Sequence, residues 1–176
     1  NKENHLNQIE KNIIKKNIKS NGIFFLPYLN HGGVIAPFFN ENASGVIYGL
    51  NQDHDKFNII QSVYEGLVLS IFDCYEIFNK KIKHIYLAGG ATKSLILPQM
   101  MSDILNKKVY ILEGQEFGAK GAAMIAYSSI SRLSLSDKKF NQNKISKTFT
   151  PNKKKHIEYQ VKYKYYKYLS RKLFNV

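Results

Sequence analysis

The stretch Ile85-Tyr86-Leu87-Ala88-Gly89-Gly90-Ala91-Thr92-Lys93-Ser94 is the part of this sequence best suited to chemistry. An apolar run that reads as a strand ends in two glycines, and a helix start follows between Ser94 and Leu97. Glycines lack Cβ atoms, so the backbone there can approach a ligand such as a nucleotide closely. Free N–H groups and the dipole at a helix start favour a phosphate. Taken alone, the same pattern also describes a tight strand-to-helix connection. The spacings GxxxxGK[ST] and GxGxxG are both missing, so it is neither a Walker loop nor a Rossmann fingerprint. The second cluster is Glu113-Gly114-Gln115-Glu116-Phe117-Gly118-Ala119-Lys120-Gly121-Ala122-Ala123-Met124. It sets Glu116 beside a helix start, where a surface carboxylate complements the dipole, with a small-residue face behind it that reads as helix packing.

Other candidates carry less. His5, His31, His54, His84 and His156 are scattered without metal-ligand spacing, and no metal site is expected. Asp53, His54 and Asp55 read as a turn and a helix cap. Cys74 is the only cysteine, which excludes a disulfide scaffold and fits a reducing cytoplasm. On its helix it reads as a core residue. A Ser-His-Asp arrangement is neither found nor excluded.

The elements that must position these residues follow from periodicity. Residues 1–20 read as the end of an amphipathic helix or a linker, with Ile9, Ile13, Ile14 and Ile18 as a narrow stripe. Gly22 to Tyr28 and Gly45 to Leu50 are strand-like, separated by a loop over 30–44. A long helix is expected from Asp53 or Asp55 to Asn79. Ile59, Val63, Leu67, Ile71, Cys74 and Phe78 form one face, and Ile60, Val68, Leu69, Phe72 and Ile77 extend the apolar surface most of the way round, as in a helix buried between a sheet and something else. Gly66 in its middle costs about 1 kcal/mol against Ala, which points to a close backbone approach. Strands at 83–88 and 107–112 and helices after each complete the order strand–helix–strand–helix–strand–helix. That order predicts an α/β layered domain with parallel strands. The helix Gly118 to Tyr127 is expected to lie close against a sheet. Residues 132–152 read as loop, and 153–176 as a basic helix packing on the domain through Ile157, Val161, Tyr165, Tyr168, Leu169 and Leu173, its lysines facing solvent.

Composition narrows the field. The chain has 176 residues, 44% hydrophobic and 13% aromatic, enough for one ordinary core and too apolar for a disordered chain. It lacks the roughly 18 consecutive apolar residues of a spanning helix, so no membrane partner is expected. The formal charge of +13 raises nucleic acid as a partner, but its distribution argues otherwise. Residues 132–176 hold 13 Lys and Arg against Asp137 and Glu158, whereas residues 21–131 hold eight basic and nine acidic residues. The positive charge is also 24 Lys to 2 Arg, and phosphate and base-edge readers favour arginine's bidentate fork. No nucleic-acid partner is expected; an RNA-associated role through Lys153 to Lys172 is the weaker alternative. The first residue is Asn1, not Met, so the sequence is read as an internal or C-terminal piece of something longer.

One resemblance joins these pieces. Gly45-x-Ile47-x-Gly49-Leu50, seven residues, then Asn58-Ile59-x-x-Ser62-Val63-Tyr64-Glu65 resembles, position for position, the second signature of the FGGY family of carbohydrate kinases. The turn Gly89-Gly90-Ala91-Thr92-Lys93-Ser94 is similar to that family's adenosine-binding motif. Glu116 to Ala123 resembles the small-residue helix that closes its nucleotide cleft, and Phe149-x-Pro151 its usual end. The likeness covers roughly residues 21–174 and implies a C-terminal domain of the actin-like ATPase (ribonuclease H-like) fold, a layered sheet with flanking helices. Residues 21–131 would form its ATP-binding portion. Gly89, Gly90, Ala91 and Ser94 would touch the nucleotide, and Glu116 and Gly118 would shape the adenine edge. The implied reaction is ATP-dependent phosphorylation of a sugar or polyol hydroxyl in the cytoplasm, with Mg²⁺ held mainly by ATP and by parts upstream. The catalytic aspartate and both phosphate loops are expected upstream too, so the chain alone is expected to be inactive, with a homodimer open to the full-length protein. A non-catalytic remnant is the alternative. Where many members have a charged Gly-Glu-Arg-x-Pro loop, this chain has Gly33-Val34-Ile35-Ala36-Pro37, which leaves the sugar open.

Overall fold

A computed structural model describes residues 2–78, 82–114, 116–131, 134–135, 137 and 144–175. Helix α1 (Lys2–Lys15) leads into β1 (Phe24–Leu26) and β2 (Val46–Tyr48), which pair antiparallel with Phe24 opposite Tyr48. Helix α2 (Lys56–Tyr75) is followed by β3 (His84–Leu87), a 3₁₀ turn (Gly89–Lys93) and α3 (Leu97–Leu105). Then come β4 (Lys108–Leu112), α4 (Phe117–Ser131), β5 (Ile145–Phe149) and α5 (Lys153–Phe174). β3 and β4 run parallel, and β5 joins the far side of β4 antiparallel.

The α/β order holds, with two differences. Among the described residues only the β3–β4 ladder is parallel, since β1 and β2 close on each other as a separate antiparallel pair. Residues 145–149, expected in a loop, form β5. Their side chains are largely exposed, so the strand lacks the apolar alternation that betrays a buried one.

Helix α2 starts where expected. Asp55 caps it by accepting from the amides of Phe57 and Asn58, while the Asn58 side chain accepts from the Asp55 amide, a reciprocal capping box. The helix regular structure ends at Tyr75, and Asn79 lies outside the described residues. Its buried side keeps Val68 and Leu69 of the expected apolar surface but is otherwise different. Leu67 and Ile71 are exposed, Cys74 is half-buried rather than core, and the inward residues are Asn58, Gln61, Ser62, Tyr64, Glu65, Val68, Leu69 and Asp73. Polar groups face inward here because partners wait for them, which apolar periodicity does not register. Gly66 does permit a close approach. A Cβ there would fall inside the radius of the Phe25 carbonyl oxygen, so α2 lies backbone-to-backbone on β1.

Those partners come largely from α5, which packs on α2 and α3. Lys162 bonds Glu65 and Ser20, Arg171 pairs with Asp73 at 2.9 Å, and the Tyr163 hydroxyl donates to Asp73 at 2.7 Å. The inward face of α5 is therefore Tyr163, Tyr166, Leu169 and Ser170 with two cations. The expected stripe is mostly outside: Ile157 is 65% and Val161 68% exposed, and of its members only Leu169 is buried. The last turn of α5 also reaches the loop over 30–44. Asn40 Nδ2 donates to the Phe174 carbonyl at 2.9 Å, the Phe174 ring lies 5.4 Å from Tyr28, and Arg171 stacks over Phe38.

The core is continuous. α3 sits at its centre between α2, α5 and one face of the β3–β4–β5 sheet, with Leu26, Val68, Leu69, Ile104, Val109 and Tyr166 essentially sealed. Helix α4 stands apart from it. None of its residues is buried, Ile130 is 84% exposed, and a Cβ on Gly118 or Gly121 would meet nothing. The expected close packing of this small-residue helix on a sheet is thus absent among the described residues, since neither sheet reaches its Gly/Ala face.

Candidate functional site

Strand β3 runs into Ala88 in an extended conformation, and Gly89 then takes φ +74°, a left-handed value that suits glycine. The chain turns through Gly89–Lys93, locked by the Thr92 hydroxyl donating to the Gly89 carbonyl at 2.7 Å. A Cβ on Gly89 or Gly90 would meet no atom of the protein. The absent side chains therefore serve no internal packing; they keep a cleft open.

That cleft measures about 780 Å³. One bank is Ala88, Gly89, Gly90, Thr92 and Lys93; the other is Leu112, Gly114, Glu116, Phe117 and Gly118 at the end of β4 and the start of α4. Four of the residues singled out in the sequence, Gly89, Gly90, Glu116 and Gly118, meet across it. Glu116 holds φ +54° at the mouth of α4, and its carbonyl accepts from the Lys120 amide. The site lies beyond the carboxyl ends of parallel strands β3 and β4, where α/β sheets place their ligands.

Ala91 and Ser94 fall on the other side of the turn. They line a separate hollow of about 440 Å³ with Leu6, Glu10, Tyr64 and Leu97. The Ser94 hydroxyl is engaged there: it donates to Glu10 at 2.5 Å and accepts from the amides of Ile96 and Leu97. The Leu95 amide donates to the other Glu10 oxygen at 2.8 Å. Of the N–H groups around the start of α3, those of Ile96 and Leu97 are thus taken by the Ser94 hydroxyl, and that of Leu95, two residues before the helix, by a carboxylate from α1. The neighbouring Tyr64 hydroxyl has its pKa raised, first by burial and then by the hydrogen bond it donates to Glu10.

Sequence reasoning missed Glu10, Thr92 and Phe117. Glu10 is one acidic residue on a polar helix, and nothing in its neighbours announces a partner some 84 residues away. Thr92 had a readable signal, since a hydroxyl three residues after a turn glycine closes such turns. Among the described residues no group of three or more His, Cys, Asp and Glu is placed to hold a metal ion. Among them, too, no helix is long and apolar enough to cross a membrane.

A glycine turn after a parallel strand, facing a helix mouth across an open cleft, marks an α/β domain with room for a ligand at its strand ends. The chain belongs to the FGGY family of carbohydrate kinases, whose C-terminal domain matches residues 2–130. The erythritol kinase of Brucella abortus is 35% identical over 109 residues, covering 61% of this chain and 21% of that protein. The xylulose kinase of Bacillus subtilis is 30% identical over 112 residues, covering 62% and 22%. Among solved structures, a ligand-bound xylulose kinase from Lactobacillus acidophilus superposes with a TM-score of 0.75 at 28% identity, over 88% of this chain and 32% of that one. The fold is accordingly the actin-like ATPase fold of those kinases. The chain spans about a fifth to a third of the length of the relatives it matches.

Proposed function

We propose that this chain is the adenosine-holding part of an ATP-dependent kinase that phosphorylates a hydroxyl of a pentulose or a polyol. The observation that carries the reading is the cleft in which Gly89 and Gly90 present bare backbone opposite Glu116 and Gly118. Membership of a carbohydrate kinase family supplies the reaction class, and kinases of this family take ATP as phosphate donor. Relatives named for xylulose and erythritol support the substrate classes.

Phosphoryl transfer asks a protein mainly to place its reactants and neutralise charge. In this reading the chain's residues do the first. Gly89 and Gly90 let the backbone lie against the base and ribose, while Glu116 and Gly118 bound the adenine edge. Ala91 and Ser94 act from behind the turn rather than on the nucleotide. Mg²⁺, when bound, would neutralise the phosphates; in this reading it rests mainly with ATP and with the parts of the kinase upstream of this sequence. The general base and the phosphate loops belong there as well.

Magnitudes set what the chain does alone. Helix-terminus electrostatics supplies about 0.3–1 kcal/mol, and even millimolar binding needs roughly −4 kcal/mol. We therefore expect weak ATP binding and no turnover. An ATP titration followed by backbone amide shifts tests this: shifts should concentrate at Gly89, Gly90, Gly114 and Gly118. Unmoved amides there at millimolar ATP overturn the cleft reading. ADP release that depends on xylulose or erythritol overturns the expected inactivity. Three cations of the basic helix, Lys162, Lys167 and Arg171, serve the fold through ion pairs with Glu65, Glu76 and Asp73.

A further inference from the structure

The turn that forms one bank of the cleft has an underside. Gly90 and Lys93 border both the cleft and the smaller hollow behind it, so the turn is a wall a single residue thick. On the far side of that wall sits Glu10, which is fully buried. A carboxylate out of water is costly unless it is well hydrogen-bonded. Three neutral donors reach this one: the hydroxyls of Tyr64 at 2.7 Å and Ser94 at 2.5 Å, and the Leu95 amide at 2.8 Å. Ser94 and Leu95 are the link between the turn and α3. The N-cap residue of α3, Ile96, has no side-chain oxygen of its own; the Ser94 hydroxyl accepts from the Ile96 and Leu97 amides instead, and Glu10 stands directly behind it.

We propose that Glu10 is a positioning residue for the nucleotide cleft. Its carboxylate fixes the Gly89–Lys93 turn through Ser94 and Leu95. It also sets a negative charge beside the amino end of α3, so a nucleotide lying on Gly89 and Gly90 must direct its phosphates away from that helix. The proposal rests on the reading of the cleft given above. A helix start with free amides attracts phosphate; this one already holds a negative charge that repels it.

The test uses Glu10→Ala and Glu10→Gln in the 176-residue chain, with circular dichroism to confirm folding and amide shifts to follow ATP, formate and inorganic phosphate. In Glu10→Ala without ligand, shift changes should concentrate from Gly89 to Leu97. ATP affinity should fall about fivefold or more, the scale of one lost hydrogen bond. Formate, small enough for the vacated space, should restore most of it. Phosphate should perturb the Leu95, Ile96 and Leu97 amides in Glu10→Ala and leave those of the wild type unmoved. Glu10→Gln keeps the shape but turns a donor toward Ser94 or Leu95, so it should lose affinity to a smaller degree; it carries the test if the alanine variant does not fold. Either folded variant binding ATP within twofold of the wild type overturns the role of Glu10. So does a loss that formate leaves unchanged and whose shifts spread evenly through the core. A wild type whose cleft amides ignore ATP overturns the cleft reading, and this proposal with it, whereas normal wild-type binding beside unaffected variants removes Glu10 alone.

Discussion

The two flanks of the molecule are finished differently. Where α5 crosses α2, Asp73 and Glu65 are sealed in and answered by Arg171 and Lys162, and Tyr163 and Tyr166 fill the space between. Across the molecule, α4 has no buried residue, and Gly89, Gly90, Gly118 and Gly121 border empty space. Stability is concentrated where the chain satisfies its own groups. The surface with room for a ligand is the one where it does not.

The largest effect should come from breaking the closed flank. Arg171→Ala leaves the Asp73 carboxylate, 1% exposed, with only its tyrosine partner. Uncompensated buried charge costs about 3–5 kcal/mol, so urea unfolding should show a loss of that order. A loss under about 1 kcal/mol, the scale of an exposed pair, would put the two flanks on an equal footing.

One substitution placed on each flank sharpens the contrast. Gly66→Ala drives a methyl into the Phe25 carbonyl and should cost up to about 3 kcal/mol through overpacking. Gly121→Ala on α4 meets nothing and should stabilise by about 0.5–1 kcal/mol, since alanine is the better helix former. Thermal melts of the two variants should therefore shift in opposite directions; a shift downward for both would mean that α4 is packed in solution.

The smallest effect sits at the rim of the closed flank. Burial alone would raise the pKa of Glu76, but the hydrogen bonds from Lys167 and Tyr163 outweigh it and hold the carboxyl below its usual value. A lowered carboxyl stabilises the fold above its unfolded-state pKa, and that contribution fades as pH falls through the folded one. Lys167→Ala should move the Glu76 titration upward in a side-chain NMR experiment with little change in stability, because both partners are well exposed.

Much of this was legible in the sequence. Asp55 as a cap, the strand into Gly89-Gly90 and the close approach at Gly66 were each forced by backbone chemistry local to a few residues. The faces of α2 and α5 were not, because both helices turn charged and polar groups inward, and periodicity scores those as surface. β5 escaped because Ile145 to Phe149 is an edge strand with little to bury. The candidate site divided differently. Gly89, Gly90, Glu116 and Gly118 were brought together by the family resemblance and not by their local patterns, whereas the placing of Ser94 depends on Glu10, a partner that neither names.

The hydrogen bond from Asn40 to the Phe174 carbonyl joins residues 134 positions apart. Together with the Tyr28 ring against Phe174, it makes the final turn of α5 a tether for the segment holding Gly33 and Pro37. Trimming the protein back past Phe174 would free that distant segment, and the first new cleavage by a protease should appear there rather than at the shortened terminus.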